Sequence, residues 1–229
     1  SADKIIIEEL SSQDKIYSAE TFSHTYPFCY RCDTPLLYYS IDTWFIGVSK
    51  IKKLLLKTAE DINWSPANIK NGRFGKWLEG ARDWAISRNR YWGAPVPIWV
   101  NENDETDIIV VESIKELATL TDGKYSLDDL HRPFIDDVVI QKDGKTYRRV
   151  EEVLDCWFES GSMPYAQWGY PFKNADEFEK NFPADFIAEG LDQTRGWFYT
   201  LMVIGAGLFG KAPFKNVIVN GLILAEDGK

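Results

Sequence analysis

Hydrophobic positions recur at two periods along this chain, and the switches between the periods mark out its elements. Ile6, Ile7 and Leu10 lie at helical spacing and predict a short helix over residues 3–13. From Lys15 to Tyr26 the pattern alternates loosely through Ile16, Ser18, Glu20, Phe22, His24 and Tyr26, which predicts a strand. Leu36 to Val48 is apolar and aromatic, with a strand at Trp44-Phe45-Ile46. Lys50 to Ala59 reads as a helix whose apolar face carries Ile51, Leu54, Leu55 and Thr58. Its Lys50, Lys52, Lys53 and Lys57 suit a solvated face better than an RNA contact. Ser65-Pro66 predicts a helix start, serine as cap and proline in the first turn, running towards Arg82.

In the dense stretch Asp83 to Trp99, Pro95 and Pro97 set an extended path and deny two ladder donors, so it is expected to be an edge strand or a crossover. Residues 101–149 change character. Short strands are predicted at 107–111, 138–141 and 146–149, with a small helix near 114–117. Asp143-Gly144 is the turn pair that favours a tight hairpin. The acidic Asn101 to Glu105 segment reads as a solvated turn, and the whole stretch as an α+β module. A further strand is expected to end at Trp157 and to be broken by Ser160-Gly161-Ser162, with a helix at 175–182 after it. Phe214 to Leu224 is a nearly continuous apolar run, as buried parallel strands are.

The stretch that organises the rest is Ala184 to Phe198. It predicts a short buried strand, a turn at Gly190 and a helix with Asp192 as N-cap. Trp197, Leu201, Ile204 and Leu208 fall on one face of that helix. Turns of this kind, beyond the carboxyl ends of strands, are where open α/β sheets bind ligands. The plainer reading is a capped core helix with a solvated first turn.

Composition narrows the class. The 229 residues suffice for one large or two ordinary domains. Nine Trp and 14% aromatic residues favour sites that grip flat or apolar groups. A net charge of −9 argues against a chain-wide basic surface for nucleic acid and leaves a local patch open. No apolar run is long enough to span a membrane and no signal peptide precedes Asp3, so no membrane partner is expected. Three Cys, an odd number, suit a reducing, cytoplasmic setting. Cys29-Tyr30-Arg31-Cys32 is half of a tetrahedral zinc site, with His24 a candidate third ligand and Cys156 far along the chain. The alternative is a metal-free turn. Both ends of the chain read as cuts in a longer protein.

Four segments in order carry a resemblance: Ile86 to Gly93 (Ile-Ser-Arg-Asn-Arg-Tyr-Trp-Gly); Asp155 to Ser162 (Asp-Cys-Trp-Phe-Glu-Ser-Gly-Ser); Glu189 to Phe198 (Glu-Gly-x-Asp-Gln-x-Arg-Gly-Trp-Phe); and Val219-Asn220-Gly221-Leu222 running to Asp227-Gly228-Lys229. Together they make the chain resemble the isoleucyl-tRNA synthetases, class I aminoacyl-tRNA synthetases, over essentially its whole length. The third segment is the most specific, because the valine and leucine enzymes are not expected to carry it.

The resemblance implies an α/β fold: the second half of a class I Rossmann (HUP-type) parallel sheet, with an α+β insertion and the tail of the editing insertion. Residues 1–83 would be that tail, 84–98 the return to the catalytic core, 99–150 the small insertion and 151–229 the second Rossmann half. The family's His-x-Gly-His signature and editing pocket would lie elsewhere, and Lys229 would precede its Lys-Met-Ser-Lys-Ser loop. No catalytic residue is therefore assigned here, and the chain alone is expected to be inactive. The reaction implied is ATP-dependent activation of isoleucine and its transfer to tRNA(Ile), by a monomeric protein using ATP and Mg2+. Glu189, Gly190, Asp192 and Gln193 would serve the adenylate, Trp157 and Trp197 the isoleucine side chain, and Asn220 and Gly221 the adenine. Arg88, Arg90 and Trp92 would brace the core first, with a hinge or tRNA-end role second. A structural Zn2+ would use Cys29 and Cys32; residues 99–150 lack the Cys pairs that some relatives use, so no zinc is expected there. The rival readings are a valyl-type synthetase and a non-catalytic module that binds RNA or protein.

Overall fold

The computed structural model describes residues 2–221 and 226. The end of the predicted strand at 222–224 and the Asp227-Gly228-Lys229 segment lie outside them. The chain divides into two compact units, Ser1–Asp42 and Thr43–Lys229.

The first unit opens with helix α1 (Ala2–Ser12), none of whose residues is buried. The strand expected over 15–26 does not form. The rings of Phe22, His24, Tyr26 and Phe28 instead meet in series, the first pair tilted and the next two edge-on, with centroids 5.1, 6.1 and 5.9 Å apart. Alternation gives the side-chain period of a strand, but a strand also needs a ladder partner. Here the pairing is an isolated bridge between Phe28 and Pro35.

The second unit runs β1 (Phe45–Ile46), α2 (Val48–Ala59), β2 (Asn63–Ser65), a π-helical turn (Lys70–Phe74), α3 (Gly75–Glu79), β3 (Trp84–Ala85), β4 (Ser87–Arg88), β5 (Ile98–Asn101), β6 (Asp104–Val110), α4 (Ile114–Leu120), β7 (Val139–Lys142), β8 (Lys145–Arg149), β9 (Val153–Leu154), α5 (Cys156–Gly161), α6 (Met163–Ala166), α7 (Ala175–Asn181), β10 (Ala184–Gly190), a 3-10 turn (Leu191–Arg195), α8 (Trp197–Phe209) and β11 (Phe214–Asn220). It is a mixed α/β fold. Its parallel sheet has the order β10-β11-β2 among the described residues.

One core holds this sheet to its helices. Leu55 of α2, Trp64 of β2, Phe74, Leu78, Phe198 and Met202 of α8, and Val217 of β11 all belong to it. α8 is buried without a break from Phe198 to Ala206. The single apolar face read from the sequence therefore understates its burial, and Leu208, counted on that face, is exposed. β11 departs from expectation in the opposite sense: Val217 and Val219 face the core while Ile218 is exposed. Ser65 does not cap a helix. It ends β2, where it pairs with Ile218, so the sheet has taken the backbone that the Ser-Pro pattern promised to a first turn.

Residues 98–149 form a separate antiparallel sheet of order β6-β5-β8-β7 with its own core around Trp99, Ile140 and Tyr147. Pro95 and Pro97 stop short of it, so β5 is an interior strand that starts once the prolines are past. Asp143 and Gly144, at φ 52° and 75°, make the tight β7–β8 turn. The Asn101–Glu105 segment is more than a solvated loop: Asn101 is buried, and its amide donates to Asp107 (2.9 Å).

Asp107 also accepts from Lys145 (2.7 Å) and the Tyr147 hydroxyl (3.0 Å). The Lys145 hydrogen bond, then that of Asn101, holds its carboxyl down at about 2. A depressed carboxylate contributes stability that is present above the ordinary carboxylate range and lost as pH falls through the folded value. The sheet should therefore weaken between about pH 4 and pH 2. Melting curves across that window should slope less for Asp107→Asn. An unchanged slope would remove Asp107 as the cause.

Candidate functional site

The carboxyl ends of β10 and β11 lie side by side. Their parallel register sets Glu189 beside Val219 and Gly190 beside Asn220, and the exposed Gly221 follows. Glu189, Gly190, Asn220 and Gly221 thus share one edge of the sheet. Beyond it the backbone tightens into the 3-10 turn before α8 begins.

The turn is held by a short relay. The Gln193 side-chain amide donates through its Nε2 to the Asp192 carboxylate (3.1 Å) and accepts through its Oε1 from the Trp197 backbone N–H (2.8 Å). Asp192 is therefore not the cap. Because the first turn is 3-10, the α-helical donors begin only at Trp197, and the longer glutamine reaches them. Asp192 remains exposed in front of that helix end. Close approach explains Gly196. A Cβ there would lie 2.6 Å from the Gln193 side-chain Oε1 and 3.3 Å from the Trp157 ring.

Trp157 arrives by a different route from the one the sequence suggested. The strand ends at Leu154, and Asp155 starts α5 by accepting from the Trp157 backbone N–H (3.2 Å). Trp157 is thus helical and 39% exposed. Asp is among the preferred N-cap residues, but the Cys-Trp-Phe-Glu-Ser-Gly run after it has little helix propensity, so the cap signal stood without the pattern that would support it. Trp197 is tied to the same helix by its indole N–H, which donates to the Ser160 carbonyl (3.0 Å). Helices α5 and α8 cross at Gly161, where a Cβ would sit 2.9 Å from Ile204 and 3.1 Å from the Thr200 backbone. The small residue lets the helices that carry the two tryptophans touch.

Sequence reading also assigned no role to Asp155, whose carboxylate joins three segments. It is buried and accepts from Arg88 (2.6 Å) and from the Trp84 indole N–H (3.2 Å), as well as from Trp157. Its own N–H donates to Ile86 (2.7 Å). Arg88 is thus a brace. Arg90 and Trp92 are not, because both are exposed, and Trp92 stacks on His131 at 4.6 Å. Arg88, Arg90 and Trp92 line a cleft of about 480 Å³ together with Trp157.

The first unit holds Cys29 and Cys32 in a turn closed by Cys29 N–H to the Thr34 carbonyl (2.9 Å). The Thr34 hydroxyl, 3.1 Å from the Cys32 sulfur, leads the contacts that lower that thiol's pKa. Two thiols make half a structural zinc site. Among the described residues no third His, Cys, Asp or Glu, His24 included, joins them.

Residues 7–229 match the family model described as tRNA synthetases class I (I, L, M and V). The chain belongs to that family. It is 59% identical over 227 residues to the isoleucine–tRNA ligase of Chlamydia muridarum (strain MoPn / Nigg), covering 99% of this chain and 22% of that protein. It is 62% identical over 227 residues to that of Protochlamydia amoebophila (strain UWE25), with the same coverage. The synthetase chain thus spans about a fifth of the length of these relatives. Among solved structures it is similar to the ternary complex of Agrobacterium radiobacter K84 agnB2 LeuRS, tRNA and LeuAMS, with a TM-score of 0.46 and 20% identity over 69% of this chain and 23% of that one. Among the described residues no helix is long and apolar enough to cross a membrane.

Proposed function

We propose that this chain is the part of an isoleucine–tRNA ligase that carries the amino-acid slot and one side of the adenylate site. The observation that carries the reading is the shared edge formed by Glu189, Gly190 and Asn220, with the turn of Asp192 and Gln193 in front of α8 and a tryptophan on each of two touching helices. The names of the relatives 59–62% identical to it supply the amino acid.

In the whole protein ATP, with Mg2+, and isoleucine give isoleucyl-adenylate, which then acylates tRNA(Ile). The residues here position the ligands rather than exchange protons. Glu189 serves the polar part of the adenylate. Asp192 and Gln193 lie at a helix N-terminus, where backbone N–H groups and the dipole favour phosphate. Asn220 and Gly221 adjoin the adenine, while Trp157 and Trp197 flank the isoleucine side chain. The segment proposals follow: 1–83 as the tail of the editing insertion, 84–98 as the return to the core, 99–150 as the small insertion and 151–229 as the second Rossmann half. Any structural zinc is assigned to Cys29 and Cys32, with its remaining ligands from outside the described residues. Metal analysis of the whole protein with both changed to serine should then find that zinc gone; retained stoichiometric zinc contradicts the assignment.

The two histidines of this sequence, His24 and His131, form no His-x-Gly-His run. The 229-residue chain alone should therefore give no isoleucine-dependent ATP–pyrophosphate exchange, whereas the whole protein should exchange with isoleucine and far less with leucine. Exchange specific for valine in the whole protein would favour the valyl-type reading.

A further inference from the structure

The turn that carries Asp192 and Gln193 is gripped from a segment more than a hundred residues upstream. The Arg73 Nε–H donates to the Thr194 hydroxyl (2.9 Å). Thr194 is fully buried, and its hydroxyl donates in turn to the Leu191 carbonyl (2.7 Å), so the group is used on both sides and closes the turn on itself. One residue on, the Arg195 guanidinium lies over the Trp77 ring at 5.1 Å, and Trp77 meets Tyr199 of α8 edge-on at 5.8 Å.

Arg73 and Trp77 are aimed by local backbone. Gly72, at φ −85° and ψ −105°, interrupts helical geometry inside the π-helical turn. Gly75 passes so near the Lys70 carbonyl oxygen that a Cβ would lie 2.7 Å from it. Phe74 and Leu78, both without exposure, anchor the segment in the core on either side. The π-helical turn thus points Arg73 at the ligand turn while its neighbours stay fixed. Such single-turn irregularities cost helix geometry and recur at functional sites.

We propose that Arg73 and Trp77 are positioning residues for the adenylate turn. They hold Thr194 and Arg195 so that Asp192 and Gln193 are set before ligand arrives. A 3-10 turn has poorer internal hydrogen bonds than an α-helix, so its geometry depends on outside contacts. The inference rests on the reading of that turn as part of the adenylate site, and it adds that the site depends on residues of the 1–83 segment.

The test uses the whole protein, an unreactive isoleucyl-adenylate analogue and ATP–pyrophosphate exchange. Losing one hydrogen bond from a charged donor should weaken analogue binding about tenfold in Arg73→Ala. Thr194→Val, which also loses the bond to the Leu191 carbonyl, should lose at least that factor, and the double variant no more than Thr194→Val alone, since Arg73 acts through that hydroxyl. Thr194→Ser keeps the hydroxyl and should bind as the parent does. The isoleucine-to-valine ratio should stay unchanged in all four, because Trp197 keeps its indole bond to the Ser160 carbonyl of α5, which lies outside the turn. Glu189→Ala is the control for the site itself. If it weakens the analogue while Arg73→Ala does not, the positioning role is wrong and the site stands. If Glu189→Ala has no effect, the site reading falls and this inference with it. Additive losses in the double variant, or an equal loss in Thr194→Ser, overturn the link even where each single variant is impaired.

Discussion

Replacing Asp155 by alanine is expected to destabilise the protein by about 3–4 kcal/mol. Three losses coincide. The Arg88 guanidinium loses its carboxylate, and because its side chain is 40% exposed the penalty sits at the low end for a broken pair. The Trp84 indole N–H loses its acceptor, and α5 loses its cap, worth about 1 kcal/mol alone. Asp155→Asn keeps the shape and a capping oxygen and should lose roughly half as much. Chemical denaturation with an unchanged slope measures this. A loss under about 1 kcal/mol for alanine would mean that water replaces the carboxylate and that the junction of β4, β9 and α5 does not depend on it.

The second large effect falls on selectivity in the whole protein. Trp197→Ala should raise the isoleucine KM and shrink discrimination against valine at the activation step, leaving ATP binding nearly intact. One methylene in an apolar slot is worth only about 1–3 kcal/mol, so removing a wall removes much of what separates the two substrates. Glu189→Ala should instead lower kcat/KM for isoleucine and valine alike, because its contact is to the part both share. The competing outcome is that Trp197 serves packing alone. Its indole bond to Ser160 and its contact with the core give that outcome substance. Trp197→Ala would then lose about 3–5 kcal/mol and depress every parameter through unfolding. Melting temperatures taken beside exchange kinetics separate the two, and a large fall in melting temperature with an unchanged isoleucine-to-valine ratio would reject the slot.

Local chemistry made much of the fold legible. The amphipathic pattern of α2, the Asp143-Gly144 turn and the apolar run of β11 each gave an element close to its observed place. What failed needed knowledge of partners. Residues 15–26 had a strand's period but no ladder to join, and Ser65 had a cap's chemistry but lay beside β11. At the site, the order Glu189-Gly190 then Asp192-Gln193 was readable as a strand-to-turn junction. That Gln193 rather than Asp192 reaches the helix was not, because reach depends on the 3-10 geometry of the turn. Asp155 was hidden for a similar reason. Its partners Arg88 and Trp84 lie 67 and 71 residues away, and sequence spacing carries no trace of such a meeting.

The pairing of β2 with β11 has a consequence for the order in which the molecule is made. Asn63 and Asn216, joined across these strands by their side chains at 3.1 Å, are 153 residues apart. On a ribosome adding about 5–20 residues per second, the interval between them is roughly eight to thirty seconds. For most of it Leu55, Ile62 and Trp64 have been synthesised, while Phe198, Phe214 and Val217, which share their core, have not. The antiparallel sheet of residues 98–149 has its own core and can close during that wait. Among the described residues the parallel sheet forms only once β10 and β11 have followed β2, so β2 and its core partners are the part most in need of a chaperone's shelter during that wait.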